Sequence, residues 1–256
     1  MGRHRSKLRA QSGIDWLRVA VTDFKVNEVS QLVVYPDRYV PDRVLLYMPD
    51  STPVIGERAI YRSKGLRCLI KKFSPDKPAI LLVRWNPTHH KTSRNWPLIS
   101  VAESIDRIAL VEAQLLQSGV ECALKPGKLS ALEYTIDTRH VLDHHNTMTL
   151  AARTGLQPYM RQLQIRKAHP TWFNNSASFS MYSKSKQKPQ IRQRLSNYHP
   201  AHRVLRQELR LKNAGTIRGR LGYETLSDAV DDNFSKAERL FLEYQKRALW
   251  LAMKEN

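Results

Sequence analysis

The residues S-A-S-F-S-M-Y-S-K-S-K, Ser176 to Lys186, and V-L-R-Q-E-L-R-L-K, Val204 to Lys212, decide how this chain is read. In the first, Ala177, Phe179 and Met181 alternate with Ser178, Ser180, Tyr182 and Lys184, the period of two that predicts a half-buried strand. In the second, Leu205, Leu209 and Leu211 alternate with Arg206, Glu208 and Arg210, and Gln207 is the one polar residue on the apolar side. A third stretch, Leu129 to Thr138, sets Leu132, Tyr134 and Ile136 against Ala131, Glu133, Thr135 and Asp137. Any one of these polar sides is what an ordinary solvated face looks like. Together in one sheet, the three strands would project Glu133, Asp137, Tyr182, Lys184, Arg206 and Glu208 from one side. Carboxylates suit a divalent cation, lysine and arginine suit phosphate, and a phenol suits attack on phosphorus.

Upstream of these strands, Ile14 to Val21, Leu32 to Tyr35, Val44 to Met48 and Ala79 to Trp85 predict further strands, divided by Pro36, Pro41 and Asn86-Pro87. Ile60 to Phe73 carries Arg62, Lys64, Arg67, Lys71 and Lys72, which reads equally as a solvated edge or as a phosphate track. The segment T-H-H-K-T-S-R-N-W-P is read as a loop bearing Lys91 and Arg94. Its Trp96 either stacks a base or anchors the loop on the core, the commoner fate of a tryptophan. Ser100 and Glu103 form a capping-box signature, so a helix begins there and runs to Gly119. Thr138 to Arg153 has the spacing of a second helix, which would set His140 and His144 at i, i+4 beside Asp143 and His145. Those histidines, like His89-His90, are read as surface or hydrogen-bonded residues.

Tyr159 to Ile165 alternates loosely as a strand, and S-K-S-K-Q-K-P-Q-I-R-Q-R after Tyr182 is an acid-free run holding Lys186, Lys188 and Arg192. Arg218, Gly219 and Arg220 are placed in a turn, and Ser227 to Met253 reads as one long amphipathic helix. The expected organisation is a flexible basic arm over 1–12, one large domain over 13–222 and a C-terminal amphipathic helix over 223–256. The expected fold class is α+β, a central antiparallel sheet with helices packed on one face.

The chain has 42 Lys and Arg against 23 Asp and Glu, a formal charge of +19 over 256 residues. That excess calls for a polyanionic partner. No apolar run approaches the roughly 20 residues that span a bilayer, and the basic residues recur along the whole length, which favours nucleic acid over a membrane. The two cysteines, Cys68 and Cys122, have no metal-ligand spacing and read as thiols of a reducing cytoplasm.

The order S-A-L-E-Y-T-I-D, then F-S-M-Y-S-K, then V-L-R-Q-E-L-R-L resembles the rolling-circle replication initiators of filamentous phages (the gene II protein) and related plasmids. That family reads S-R-x-D-x-T, then a Y-x-K strand, then an R-x-E-x-R strand. The resemblance reaches back through Asn86-Pro87 and Arg94-Asn95, covering about residues 80 to 212. It implies nicking and rejoining of one DNA strand through a tyrosine 5′-phosphate, with Tyr182 as nucleophile and Lys184 beside it. Glu133 and Glu208 are the implied ligands of Mg²⁺ or Mn²⁺, with Asp137 third, since Asp137 lies ~13 Å along the strand from Glu133. Arg206, Arg210, Lys186, Lys188, Arg192, Lys91, Arg94 and Trp96 are the expected nucleic-acid contacts. Origin DNA, single-stranded or supercoiled, and a host helicase are the expected partners, in the cytoplasm of a bacterial host. The chain departs from the family in having Ala131 for the arginine, Glu133 for the aspartate, and no acid after Y-x-K. Two other readings use the same residues: a basic binder of single-stranded nucleic acid without chemistry, and a metal nuclease to which Tyr182 is incidental.

Overall fold

Alternating segments become strands, and amphipathic segments with caps become helices. The computed structural model describes residues 10–26, 43–45, 56–63, 65–72, 76–92, 98–140, 162–166, 169–183 and 203–254. The strands are β1 (Ala10–Val21), β2 (Phe24–Val26), β3 (Arg43–Leu45), β4 (Gly56–Ser63), β5 (Leu66–Lys72), β6 (Ile80–Trp85), β7 (Val120–Cys122), β8 (Lys128–His140), β9 (Gln162–Arg166), β10 (His169–Phe173), β11 (Ala177–Ser183) and β12 (Arg203–Leu211). The helices are α1 (Pro87–Thr92), α2 (Val101–Leu116), α3 (Ala214–Leu221), α4 (Leu226–Asp231) and α5 (Ser235–Lys254). This is an α+β protein. No helix among the described residues is long and apolar enough to cross a membrane.

The chain divides into two compact units, the first of residues 1–13, 133–212 and 236–256 and the second of residues 14–132 and 213–235. In the first unit the strand order is β8-β12-β11-β10-β9, and the β12/β11, β11/β10 and β10/β9 pairs are antiparallel. Helix α5 lies on one face of it. Its residues Ala237, Phe241, Tyr244 and Ala248 are buried at helical spacing. Phe241 meets Phe179 of β11 edge-on at 5.6 Å between ring centroids and Tyr134 of β8 at 5.7 Å. Tyr244 stacks on Phe179 at 6.2 Å, and Trp172 of β10 lies 6.0 Å from it. Each such pair adds about 0.5–1.5 kcal/mol to the area it buries. Gln207, the polar residue on the apolar side of β12, accepts from Gln245 of α5 at 3.0 Å, so the helix satisfies the one irregularity in that face.

In the second unit the order is β3-β4-β5-β6-β1-β8, with β2 and β7 forming a separate pair. Leu17, Val19 and Val21 of β1, Leu81 and Val83 of β6, and Ile108, Val111 and Leu115 of α2 are buried. Asn86 caps α1: its side chain accepts from His89 N at 2.7 Å and donates to Asp15 at 2.9 Å, and Pro87 takes the first helical position. Gly65, at φ 71°, lies under that cap; a β-carbon there would stand 2.6 Å from His90 N, so only glycine fits. The capping box at Ser100 and Glu103 forms as expected. Cys68 and Cys122 are free thiols, and burial pushes both up, Cys122 to about 11.

Four expectations are corrected. The histidine segment after Asn86 is the short helix α1, because asparagine followed by proline is a helix start as well as a strand stop. Residues 138–140 extend β8, so His140 ends a strand and does not begin a helix. Asp143, His144, His145 and the remainder of that predicted helix lie outside the described residues, as does Leu32 to Tyr35. Arg218, Gly219 and Arg220 belong to α3, which Asn213 caps by accepting from Thr216 N at 2.8 Å. The single C-terminal helix is two, since Asn233 and Phe234 adopt φ 49° and 54° between α4 and α5. Left-handed backbone at a phenylalanine is costly, and the fully buried Phe234 side chain offsets it.

Candidate active site on the first unit's polar face

Phe179 turns toward α5, so Ser178, Ser180 and Tyr182 turn away from it by the alternation of the strand. The β11/β12 register sets Ser178 opposite Arg210, Ser180 opposite Glu208 and Tyr182 opposite Arg206. Tyr134 also faces α5, which puts Glu133, Thr135 and Asp137 on the same side as that row. Arg210 Nε donates to Glu133, and Arg206 donates from Nε and Nη2 to the two oxygens of Asp137, each at 2.7 Å. These pairs step in opposite directions along β8 and β12, so Thr135 stands level with Glu208. The face is thus a three-by-three array with Glu208 at its centre.

The Tyr182 hydroxyl donates to Glu208. One carboxylate oxygen of Glu208 and one of Glu133 lie within 4.8 Å of each other. Glu133 and Tyr182 are buried and Glu208 is half-buried. The Arg210 side chain is 53% exposed, so its guanidinium neutralises Glu133 from the solvent side. Two carboxylate oxygens at this separation fit a hard divalent cation, which takes oxygen donors. The same carboxylate that receives the phenol hydrogen bond is placed to receive its proton.

Two of the expected roles change. Arg206, expected to contact nucleic acid, is fully buried and its guanidinium is bound bidentately by Asp137. Asp137, expected as a third metal ligand, has both oxygens taken by that arginine. The two form a structural ion pair beside the tyrosine. Lys91 is exposed on α1 and pairs with Glu103 of α2. That contact is the largest cause holding the Glu103 carboxyl down at about 2. Lys184, Lys186, Lys188, Arg192, Arg94 and Trp96 lie outside the described residues. His90 is engaged at both ring nitrogens, Nε2 with Gln114 at 2.7 Å and Nδ1 with Arg107 at 3.3 Å, as a hydrogen-bonded residue of the second unit.

Reading the sequence passed over two side chains. Thr135 is fully buried at the centre of β8's polar side, and its hydroxyl has no hydrogen-bond partner among the described residues. The signal was its place midway between Glu133 and Asp137. In the second unit Asp15 is a buried acid within the apolar run Ile14 to Val21, where an acid needs a partner and finds Asn86.

No protein-family profile matches the chain, and no curated protein matches it. Among solved structures it is similar to a rolling circle replication initiator protein from Geobacillus stearothermophilus. The identity is 11%, over 87% of this chain and 80% of that one, with a TM-score of 0.38.

Proposed function

We propose that the protein initiates rolling-circle replication of a phage or plasmid by nicking one DNA strand with Tyr182 and later rejoining it. One observation carries this reading: the Tyr182 hydroxyl is hydrogen-bonded to Glu208, whose carboxylate lies beside that of Glu133. Glu208 takes the phenol proton as the tyrosine oxygen bonds to phosphorus. The bond from phosphorus to the 3′ oxygen breaks, and that oxygen gains a proton from water to become a 3′-hydroxyl. In rejoining, a 3′-hydroxyl gives its proton to water as it attacks the phosphotyrosine, the bond from phosphorus to the tyrosine oxygen breaks, and the phenolate recovers its proton from Glu208. A Mg²⁺ or Mn²⁺ held by Glu133 and Glu208 would polarise a non-bridging phosphate oxygen. Arg210, at the exposed edge of the array, holds a neighbouring phosphate. Lys184 assists by resemblance, the DNA is an origin presented single-stranded or supercoiled, and the work is done in a bacterial cytoplasm.

The test is incubation with single-stranded circular and supercoiled DNA in Mn²⁺, followed by denaturing electrophoresis. The expected result is a covalent protein–DNA adduct that Tyr182→Phe abolishes. Cleavage that survives this substitution identifies an ordinary metal nuclease instead. A basic single-stranded nucleic-acid binder without chemistry is favoured by one observation, that Glu133 already has a cationic partner in Arg210. Binding with no cleavage would establish that alternative.

A further inference from the structure

The polar side of the first unit's sheet continues past the array onto β10. Trp172 meets Phe179 on the side that faces α5, so Thr171 and Phe173 turn to the same side as Ser178, Ser180 and Tyr182. Phe173 is half-buried there, and both residues opposite it in register, Ser178 of β11 and Gln162 of β9, are polar. Lys212 follows Arg210 by two residues and so shares this side. Its ammonium donates to the Asn174 carbonyl at 2.8 Å and stands 5.7 Å from the centroid of the Phe173 ring. The turn beneath is fixed in place. The Asn174 side chain accepts from Ser176 N at 2.8 Å and Ala177 N at 2.7 Å, and Lys212 N donates to Ser176 O at 2.9 Å.

Charge and distance both suit this corner to a nucleotide. Burial is the main cause lowering the Lys212 ammonium below its ordinary value, and the neighbouring Arg210 charge adds to it. An anion drawn to Lys212 counters both. In the register Glu208, Ser180 and Thr171 stand in one line across three strands, and Phe173 is two residues beyond Thr171. Two strand spacings of about 4.8 Å and two residues of about 3.4 Å set Phe173 about 12 Å from Glu208. An unpaired strand crosses that in about three to four nucleotides at the 3.4 Å stacked spacing, and in fewer when extended. The path runs over Ser180, Thr171 and Ser178, short hydroxyl side chains that are half-buried. At its end a phenyl ring offers any base a π-face, and the ammonium over the ring is the charge that a backbone phosphate pairs with.

We propose that Phe173 and Lys212 form a nucleotide subsite for an unpaired DNA strand, a base stacking on the phenyl ring and a backbone phosphate pairing with the ammonium. Its place beside Glu208 rests on the nicking reading, and its binding is measured without that chemistry. The test is fluorescence anisotropy of a labelled 20-nucleotide oligo(dT), and of a fully abasic strand of the same length, with the full chain in EDTA across a salt series. Phe173→Leu is expected to bind oligo(dT) about tenfold more weakly than the parent and the abasic strand equally well. Phe173→Trp, which keeps a stacking face, should bind oligo(dT) as tightly as the parent. Lys212→Gln is expected to weaken binding to both strands and to lower the slope of log K against log salt by about 0.7, one single-strand phosphate contact. Lys246→Gln, on an exposed position of α5, is the charge-matched control and should leave the slope nearly unchanged.

Equal losses by Phe173→Leu on the two strands would overturn the stacked base, and so would a loss in Phe173→Trp as large as that in Phe173→Leu. Equal slope changes in Lys212→Gln and Lys246→Gln would overturn the phosphate contact, because the loss would then follow net charge alone. A ring and an ammonium that only hold the turn at Asn174 would show as lowered thermal midpoints with no difference between the strands, which overturns the subsite. Adduct formation by the parent in Mn²⁺ is scored separately. An adduct with no base-dependent loss in Phe173→Leu removes the subsite and keeps the nicking reading, and a base-dependent loss with no adduct does the reverse.

Discussion

The Tyr182 hydroxyl and the Glu208 carboxylate are joined by a hydrogen bond across β11 and β12, although the register sets them one step out of line. Ser180 is the residue directly opposite Glu208, and Tyr182 reaches the acid diagonally by virtue of its length. One carboxylate thus serves the phenol on one side and lies within 4.8 Å of the Glu133 carboxylate oxygen on the other. This double service separates two substitutions that are both expected to abolish adduct formation under the proposed reaction. Glu208→Gln is expected to weaken Mn²⁺ binding at least tenfold, and Tyr182→Phe to leave it within about twofold. Isothermal titration with Mn²⁺ measures both, and equal losses in the two variants would remove Glu208 from the ligand set.

Asp137 and Arg206 make a buried bidentate pair, the side chains 6% and 0% exposed. Removing one partner leaves an unpaired charge inside the protein, which costs about 3–5 kcal/mol. Asp137→Asn and Arg206→Gln are each expected to lose stability on that scale in urea denaturation. The double substitution Asp137→Leu/Arg206→Met should recover most of the loss, because matched apolar groups need no partner. A double variant as unstable as the sum of the singles would show that the pair holds something beyond itself.

Much of this arrangement was legible in the sequence because period two is a local property. Ala177 to Tyr182, Val204 to Leu211 and Leu129 to Thr138 each show which residues share a side, and the polar sides of all three strands meet as expected. Pairing between strands is not local. Nothing in R-Q-E-L-R or E-Y-T-I-D tells which acid takes which arginine, so Arg206 and Asp137 read as surface and ligand when they are partners. The break at Asn233-Phe234 contains neither glycine nor proline, and the apolar spacing runs through it undisturbed. Val141, Leu142, Met148 and Ala152 after Thr138 have helical spacing, yet β8 continues to His140.

Thr135 carries a buried hydroxyl with no hydrogen-bond partner among the described residues, level with Glu208. A structural threonine in that state is a liability of about 1–3 kcal/mol, and valine has the same shape without the hydroxyl. Thr135→Val is therefore expected to hold or raise the thermal midpoint. If the hydroxyl instead completes the site when phosphate or a cation is present, the same variant loses adduct formation by about tenfold, and Thr135→Ser restores it. Full activity in the valine variant would confine Thr135 to packing.

His90 provides a pH signature in the second unit. Burial is the main cause holding its imidazole below the ordinary value near 6.5; the Gln114 hydrogen bond opposes this and the Arg107 charge adds to it. With Nε2–H donating to Gln114 and Nδ1 accepting from Arg107, the neutral ring satisfies both neighbours. A depressed folded value means the unfolded chain binds the proton first. The stabilisation from His90 is then whole above about pH 6.5 and is lost as the pH falls below it toward the folded value, at no more than about 1.4 kcal/mol per pH unit. Glu103, the nearby acid, titrates outside that window because its contact with Lys91 holds its carboxyl at about 2. Urea midpoints measured from pH 7.5 to 5.0 should fall more steeply in the parent than in His90→Gln. Parallel curves would mean that the ring accepts its proton without disturbing Arg107, and that the short helix after Asn86 does not depend on the neutral histidine.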